Sequence, residues 1–128
     1  MSTRSLINVK CEDGIVRSIY CHHDGYGHLP TLKKFYGSLK KAEKLIAGGD
    51  LSILDAKCTK PDEHSFDTPV DGYCVYYYRD RDEDWEDTKP KEFKTLKAAR
   101  KQDRGQEFIY EFENDVWSGW NISKKEYI

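Results

Sequence analysis

The alternation of apolar and polar positions predicts β-strands near both ends of the chain. Residues 5–22 contain two alternating runs that flank a tight turn at Glu12-Asp13-Gly14. Residues 108–122 repeat this arrangement around Glu113-Asn114-Asp115. Because short alternating runs that flank a turn are typical of paired antiparallel strands, the sequence predicts one β-hairpin in each region.

Between the hairpins the spacing of the apolar positions changes, and this change predicts helices. From residue 30 to residue 46 the apolar positions recur three and four residues apart, which predicts one long amphipathic helix that ends at Gly48-Gly49. Thr95 is a suitable N-cap for a second, shorter helix. Residues 73–79 are rich in tyrosine and favour a strand, either a central one covered on both sides or one that presents a face to a partner.

These elements together predict an α+β fold. We expect an antiparallel sheet of about five strands, with one long helix and one short helix. Residues 55–71 contain two prolines and many polar groups, which indicates a long loop, and residues 123–128 are expected to form a polar tail. The length of 128 residues suits a single domain, 1–128.

Composition limits the kinds of partner that this protein is expected to bind. The chain has 21 basic and 23 acidic residues, a net charge of −2, so direct binding to nucleic acid is not expected. It has neither a signal-peptide pattern nor an apolar run of about 20 residues, so we expect a cytosolic protein that does not bind membranes. Its four cysteines lack the C-x-x-C spacing and are expected to be free thiols.

The stretch from residue 20 to residue 28 is the first candidate site. It holds three of the four histidines and two tyrosines, between a predicted strand and a predicted helix. Such junctions hold side chains rigidly and expose them, so we select four candidate binding residues here. They are Tyr20, His22, Asp24 and Tyr26.

Three chemistries remain open for this stretch. Zinc is one, with ligands drawn from Cys21, His22, His23, Asp24 and His28. Anion binding at Gly25-x-Gly27 before the helix is another, and nucleophilic catalysis by Cys21 or His22 is the third. No signature is complete for any of them, so we expect no metal and no cofactor.

The second candidate site is the acidic run at residues 80–87. Six of these eight residues are acidic, and they surround Trp85. Three interpretations of this run remain open: a solvated loop, a surface that docks on a basic host protein, and a divalent-cation site, although the positions fit no EF-hand loop. A tryptophan ringed by charged residues is typical of an anchor at a protein interface. The candidate residues of this surface, which we expect to bind a basic host protein, are Arg79, Asp80, Arg81 and Trp85. Both surfaces would form one site if strand 15–21 lies beside strand 73–79.

Several sequence blocks carry a resemblance to known proteins. They are Thr3-Arg4-Ser5-Leu6-Ile7, Val16 to Tyr26, Leu45 to Ser52, Tyr78 to Trp85 and Tyr110-x-Phe112. In these blocks, and in their order, the chain resembles a family of small bacteriophage and prophage proteins. Relatives commonly carry Trp at position 23 and Pro at position 27. The resemblance implies a phage accessory protein in the host bacterial cytoplasm, and it brings no catalytic residue.

The leading hypothesis is a non-enzymatic phage protein that binds and inhibits a host bacterial protein or complex, in an anti-defence role like that of an anti-CRISPR. One alternative is sequestration of a nucleotide signal, in which tyrosines stack on the base and Arg17 or Arg79 binds phosphate. The tyrosines proposed for stacking are Tyr20, Tyr26, Tyr76 and Tyr78. A small enzyme that uses Cys21 or His22 is another alternative, and homodimer formation remains open.

Overall fold

Eight strands form one mixed sheet in the computed structural model, which describes residues 2–128. The strands are β1 (Ser5–Lys10), β2 (Val16–Cys21), β3 (Leu51–Ile53), β4 (Val75–Tyr76), β5 (Lys91–Phe93), β6 (Phe108–Glu113), β7 (Val116–Asn121) and β8 (Glu126–Tyr127). The helices are α1 (His28–Phe35), α2 (Leu39–Ile46), α3 (Tyr77–Arg81), α4 (Trp85–Thr88) and α5 (Leu96–Arg100), with a 3₁₀ turn at Gly25–Gly27. The chain is therefore α+β.

The first strand lies in the middle of the sheet. The strand order is β4-β3-β2-β1-β6-β7-β8, and β5 pairs with β2 beside this path. β1 pairs antiparallel with β2 and parallel with β6, and β2 pairs parallel with β3. The side chains of Leu6, Ile7, Asn8 and Val9 are fully buried, as expected for a central strand covered on both faces.

The predicted sheet of about five antiparallel strands is wrong. In the observed sheet two strand pairings are parallel. Three of its strands, β3, β5 and β8, were not predicted, and each is only two or three residues long. Alternation within a strand does not reveal its partner, and such short strands contain too few positions to alternate. The carbonyl oxygen of Arg4 accepts the amide of Glu107 at 2.9 Å, which starts the parallel pairing of β1 with β6.

The single long helix is also wrong, because the chain breaks between α1 and α2. Ser38 is extended (φ −117°, ψ 158°), and its hydroxyl accepts the amide of Lys41 at 3.3 Å, so a new helix begins there. The side chain of Tyr36 is buried, and its hydroxyl donates to the Asp55 carbonyl at 2.6 Å. The apolar periodicity continues across the break, which is why the sequence predicted one helix.

The predicted strand at residues 73–79 is wrong over its second half, where a helix begins. Only Val75 and Tyr76 are in strand conformation, and α3 begins at Tyr77. The carboxylate of Asp80 accepts the amide of Tyr76 at 2.8 Å and thereby caps the start of the helix. The strand that the tyrosines favour therefore ends at Tyr76.

Several local predictions are confirmed. β1–β2 and β6–β7 are antiparallel hairpins. Thr95 caps α5 by accepting the amide of Ala98 at 3.1 Å. The segment at residues 123–128 differs from the predicted polar tail, because it contains β8, which pairs with β7.

Helices cover both faces of the sheet. α1 and α2 pack on the face that carries Ile7, Val9 and Ile19 and form the main core with it. α5 packs on the other face, which carries Leu6 and Ile109, since successive strand residues point to opposite faces. Among residues 2–128, no helix has both the length and the apolarity needed to cross a membrane.

Candidate binding surfaces

The first candidate surface begins with a pair of polar rings at the end of β2. The hydroxyl of Tyr20 lies 2.7 Å from Nδ1 of His22, and the His22 ring meets the edge of the His23 ring at 4.6 Å. All three side chains are half-buried. Partial burial, and then the positive charges of His23 and Arg4, lower the pKa of His22.

Asp24 and Tyr26 project beyond these rings. Asp24 has a left-handed backbone (φ 58°), and the chain then turns through Gly25, whose amide donates to the Thr3 carbonyl at 2.9 Å. A Cβ atom at Gly25 would lie 2.8 Å from that carbonyl oxygen, so this close approach requires glycine. Asp24 is exposed and Tyr26 is 66% exposed.

The other residues of this stretch lie inside the protein. Cys21 is fully buried, and burial raises the pKa of its thiol. His28 is buried against Tyr110, and burial lowers its pKa to about 4. Cys21 and His28 are therefore not exposed reactive groups. Among residues 2–128, no cluster of three or more His, Cys, Asp or Glu side chains is arranged to hold a metal ion.

The buried carboxylate of Asp50 holds the backbone of Tyr20 in place. Asp50 accepts the amide of Tyr20 at 2.9 Å and binds the Arg104 guanidinium at 2.6 and 3.3 Å. The guanidinium lies over the Tyr20 ring, 5.1 Å from its centroid. Burial raises the pKa of Asp50, although Arg104 and the Tyr20 amide oppose that shift.

Asp50 also joins the two candidate surfaces. Its carbonyl accepts the amide of Tyr77 at the start of α3, and its amide donates to the Thr88 carbonyl at the end of α4. A Cβ atom on its neighbour Gly49 would lie 3.2 Å from the Trp85 ring. β3 separates β2 from β4, so the link between the surfaces is the Gly49–Asp50 turn and not direct strand pairing.

Of the residues chosen for the second surface, Asp80 is buried and Arg79 is half-buried. Asp80 has a fully buried side chain that binds Arg79 through both oxygens, each at 2.9 Å. Arg79 also donates to the carbonyls of Cys58 and Cys74. Burial favours a higher pKa for Asp80, but Arg79 and the Tyr76 amide outweigh it and lower the pKa. This network ties the loop at residues 54–74 to α3.

The accessible part of the second surface is aromatic and acidic. Tyr78 is 47% exposed, and its ring meets that of half-buried Trp85 at 4.9 Å in an edge-to-face pair. Arg81 is exposed, lies over Phe66 and pairs with Glu83 at 3.4 Å. The acidic–aromatic surface consists of Tyr78, Asp82, Glu83, Trp85, Glu86 and Asp87.

Sequence reasoning missed Asp50 and Arg104. Gly48-Gly49 predicts a helix end, and Asp50 enters the sequence analysis only within the block Leu45 to Ser52, although an acid directly before an apolar strand is a usable signal of a buried charge. Arg104 lies in a polar connection and carries no such signal. The nucleotide hypothesis needs Tyr76 to stack on a base and Arg17 or Arg79 to bind phosphate. Tyr76 is buried, Arg17 already pairs with Asp13 and Glu92, and Arg79 already pairs with Asp80.

Comparisons with known proteins leave the resemblance to bacteriophage proteins as a prediction. No protein-family model matches the chain, and neither a curated protein nor a solved structure matches it.

Proposed function

We propose that this protein is a non-enzymatic binding protein whose acidic–aromatic surface docks on a basic surface of a host bacterial protein and inhibits it. The observation that carries the proposal is the edge-to-face pair of exposed Tyr78 and half-buried Trp85, in a segment that contains several exposed carboxylates. The resemblance to small bacteriophage proteins supports a host protein as the target and an anti-defence role.

The charge distribution supports a basic partner. Residues 79–89 contain six acidic and three basic residues, a local charge of −3, whereas the whole chain carries −2. Negative charge is therefore concentrated in this segment and nearly balanced elsewhere. Asymmetric charge of this kind increases the association rate with a complementary surface and makes it sensitive to salt.

The aromatic pair supplies the apolar part of the interface. Tyrosine and tryptophan are enriched among the few residues that dominate binding energy. Trp85 is held against the Gly49 backbone, and Tyr78 stands on the helix that the buried Asp80 caps. Because both rings are anchored before binding, little side-chain entropy is lost on association.

The test begins with capture of a partner from a host lysate, its identification and its purification. The purified partner is then titrated with the Tyr78→Ala variant, with Glu86→Lys/Asp87→Lys and with the unaltered protein. We expect Tyr78→Ala to weaken binding roughly 30-fold, the size of a hot-spot loss of about 2 kcal/mol. We expect the charge reversal to weaken binding most strongly at low salt.

A matched control is the double reversal Asp62→Lys/Asp71→Lys, which changes the net charge equally at exposed positions of the 55–71 loop. This control should bind like the unaltered protein. If both double reversals bind equally well and Tyr78→Ala has no effect, the acidic–aromatic surface is not the interface and the proposal fails.

A further inference from the structure

A cavity of about 210 Å³, separate from the two candidate binding surfaces, lies on the α5 face of the sheet. It is lined by Arg100, Ile109, Glu111, Ser118, Trp120 and Tyr127. None of these residues belongs to the surfaces described above. An apolar cavity of about 150 Å³ is large enough to bind benzene, so this one has room for a somewhat larger ring system.

Strand register builds the cavity. Ile109 pairs with Trp120, and Trp120 pairs with Tyr127, so these three residues form one row across β6, β7 and β8. Glu111 and Ser118 form the next row. Rows two residues apart share one face of a sheet, which brings apolar and polar side chains to the same opening.

Two rings form an aromatic corner. The centroids of Trp120 and Tyr127 lie 4.8 Å apart, with their planes at 75°. A planar ligand can stack on one ring while its edge contacts the other, and both arrangements are favourable for aromatic pairs. The corner therefore favours a flat aromatic ligand.

The charged pair in the cavity leaves a specific set of donors. Glu111 is nearly buried, and it accepts Arg100 Nε at 3.0 and 2.9 Å, Arg100 Nη2 at 2.6 Å and the Asn8 amide at 3.2 Å. Its oxygens are fully engaged, so the carboxylate is not free to bind a cation. Arg100 uses one side of its guanidinium for this pairing, which leaves Nη1 and the second Nη2 proton as a two-donor fork.

This fork determines which ligand chemistry fits. The arginine charge is neutralised by Glu111, and none of the six lining residues is a lysine, so the cavity has no excess positive charge for a phosphate. A neutral ring with two adjacent acceptors matches it better. Arginine pairs in this bidentate way with O6 and N7 of guanine.

We propose that this cavity is a binding site for the guanine base of a free nucleoside. The base stacks in the Trp120–Tyr127 corner, and O6 and N7 accept the outer fork of Arg100. Adenine presents a donor where guanine presents O6 and is therefore disfavoured. The inference is independent of the acidic–aromatic surface and of its partner.

The test is a calorimetric titration of the full chain with guanosine, inosine, 7-deazaguanosine and adenosine. For a ligand of this size we expect a guanosine Kd on the order of 0.1 mM. Inosine keeps O6 and N7 and should bind like guanosine. Loss of N7 in 7-deazaguanosine, or replacement of O6 in adenosine, should weaken binding at least about 5-fold.

Variants locate the binding to this cavity. Tyr127→Ala changes a residue that is 71% exposed, so this variant is expected to keep its fold. Guanosine binding should weaken roughly 5-fold or more in Tyr127→Ala and also in Trp120→Ala. Arg100→Lys keeps a charge beside Glu111 but removes the fork, and should abolish the preference for guanosine over adenosine. Trp85→Ala, on the other surface, should bind guanosine unchanged.

Four results would overturn the proposal. One is the absence of guanosine binding at concentrations about tenfold above the expected Kd. Another is equal binding of guanosine and 7-deazaguanosine. A third is guanosine binding by Tyr127→Ala and Trp120→Ala that equals that of the unaltered protein. The fourth concerns the source of the base: a guanine-containing single-stranded oligonucleotide that binds through Trp120 when guanosine does not would rule out the free nucleoside as ligand.

Discussion

Asp50 and Arg104 form a bidentate ion pair, with contacts of 2.6 and 3.3 Å, and the Arg104 guanidinium packs on the face of the Tyr20 ring. The pair joins the turn before β3 to the segment between α5 and β6, which are 54 residues apart in the chain. Because the same carboxylate also holds the Tyr20 amide, the pair fixes the position of the first candidate surface.

Asp50→Ala should destabilise the protein by about 3 kcal/mol, since removal of one partner leaves a largely buried charge and a backbone amide unpaired. The unfolding free energy from urea titration measures this loss. The control is Glu113→Ala, which breaks the exposed pair with Lys10 and should cost less than about 1 kcal/mol. Equal losses in the two variants would show that the Asp50 pair has no special structural role.

Gly25→Ala should destabilise the protein by roughly 1–3 kcal/mol, because the added methyl group would lie 2.8 Å from the Thr3 carbonyl. Gly27→Ala is the matched control two residues away, where a Cβ atom meets nothing within 4 Å. Thermal unfolding of the two variants compares them directly. A larger loss for Gly27→Ala than for Gly25→Ala would contradict the packing described here.

His28 should make the protein less stable in mild acid. Its pKa in the folded state is about 4, below the value of about 6.5 expected in the unfolded chain, so the unfolded state takes up this proton first. As the pH falls from about 6.5 to about 4, this difference should remove about 3 kcal/mol of unfolding free energy, with no further loss below that range. Urea titrations across this range measure the slope.

The variant His28→Phe keeps a ring against Tyr110 and has no proton to gain. Its unfolding free energy should depend less on pH in the same window than that of the unaltered protein. An identical slope in both proteins would mean that another group causes the acid sensitivity.

Asp80→Ala should cost about 3–5 kcal/mol, because it leaves Arg79 without its carboxylate and the Tyr76 amide without an acceptor. Hydrogen exchange in the loop at residues 54–74 should become faster, since the Asp80 network ties that loop to α3. Glu83→Ala breaks the exposed pair with Arg81 and serves as control, with an expected loss below about 1 kcal/mol. Unchanged exchange in Asp80→Ala would rule out the proposed restraint.

Local signals in the sequence predicted local structure well. The Glu12-Asp13-Gly14 and Glu113-Asn114-Asp115 turns lie between neighbouring strands, so pattern and pairing agree. Thr95 caps its helix because a cap depends only on residues within one turn. The apolar stripe of residues 30–46 is present, but the break at Ser38 depends on where the Tyr36 ring is buried.

The candidate sites depended on contacts that sequence does not reveal. Tyr20 and His22 are an exception, because they are only two residues apart at the end of β2 and are in contact. Asp80 belongs to the same acidic run as Trp85, but its side chain is buried and paired with Arg79. The sequence does not reveal this burial. The corner of Trp120 and Tyr127 was not predicted, because it requires β8 to pair with β7.

The parallel pairing of β1 with β6 has a consequence for how the chain folds. It joins residues about one hundred positions apart, so its formation must wait for a large loop to close, and such distant pairings slow folding. During synthesis β1 leaves the ribosome with one open edge, and that edge stays unpaired until residues 108–113 have emerged. Over this interval, chaperone binding or self-association competes with completion of the sheet.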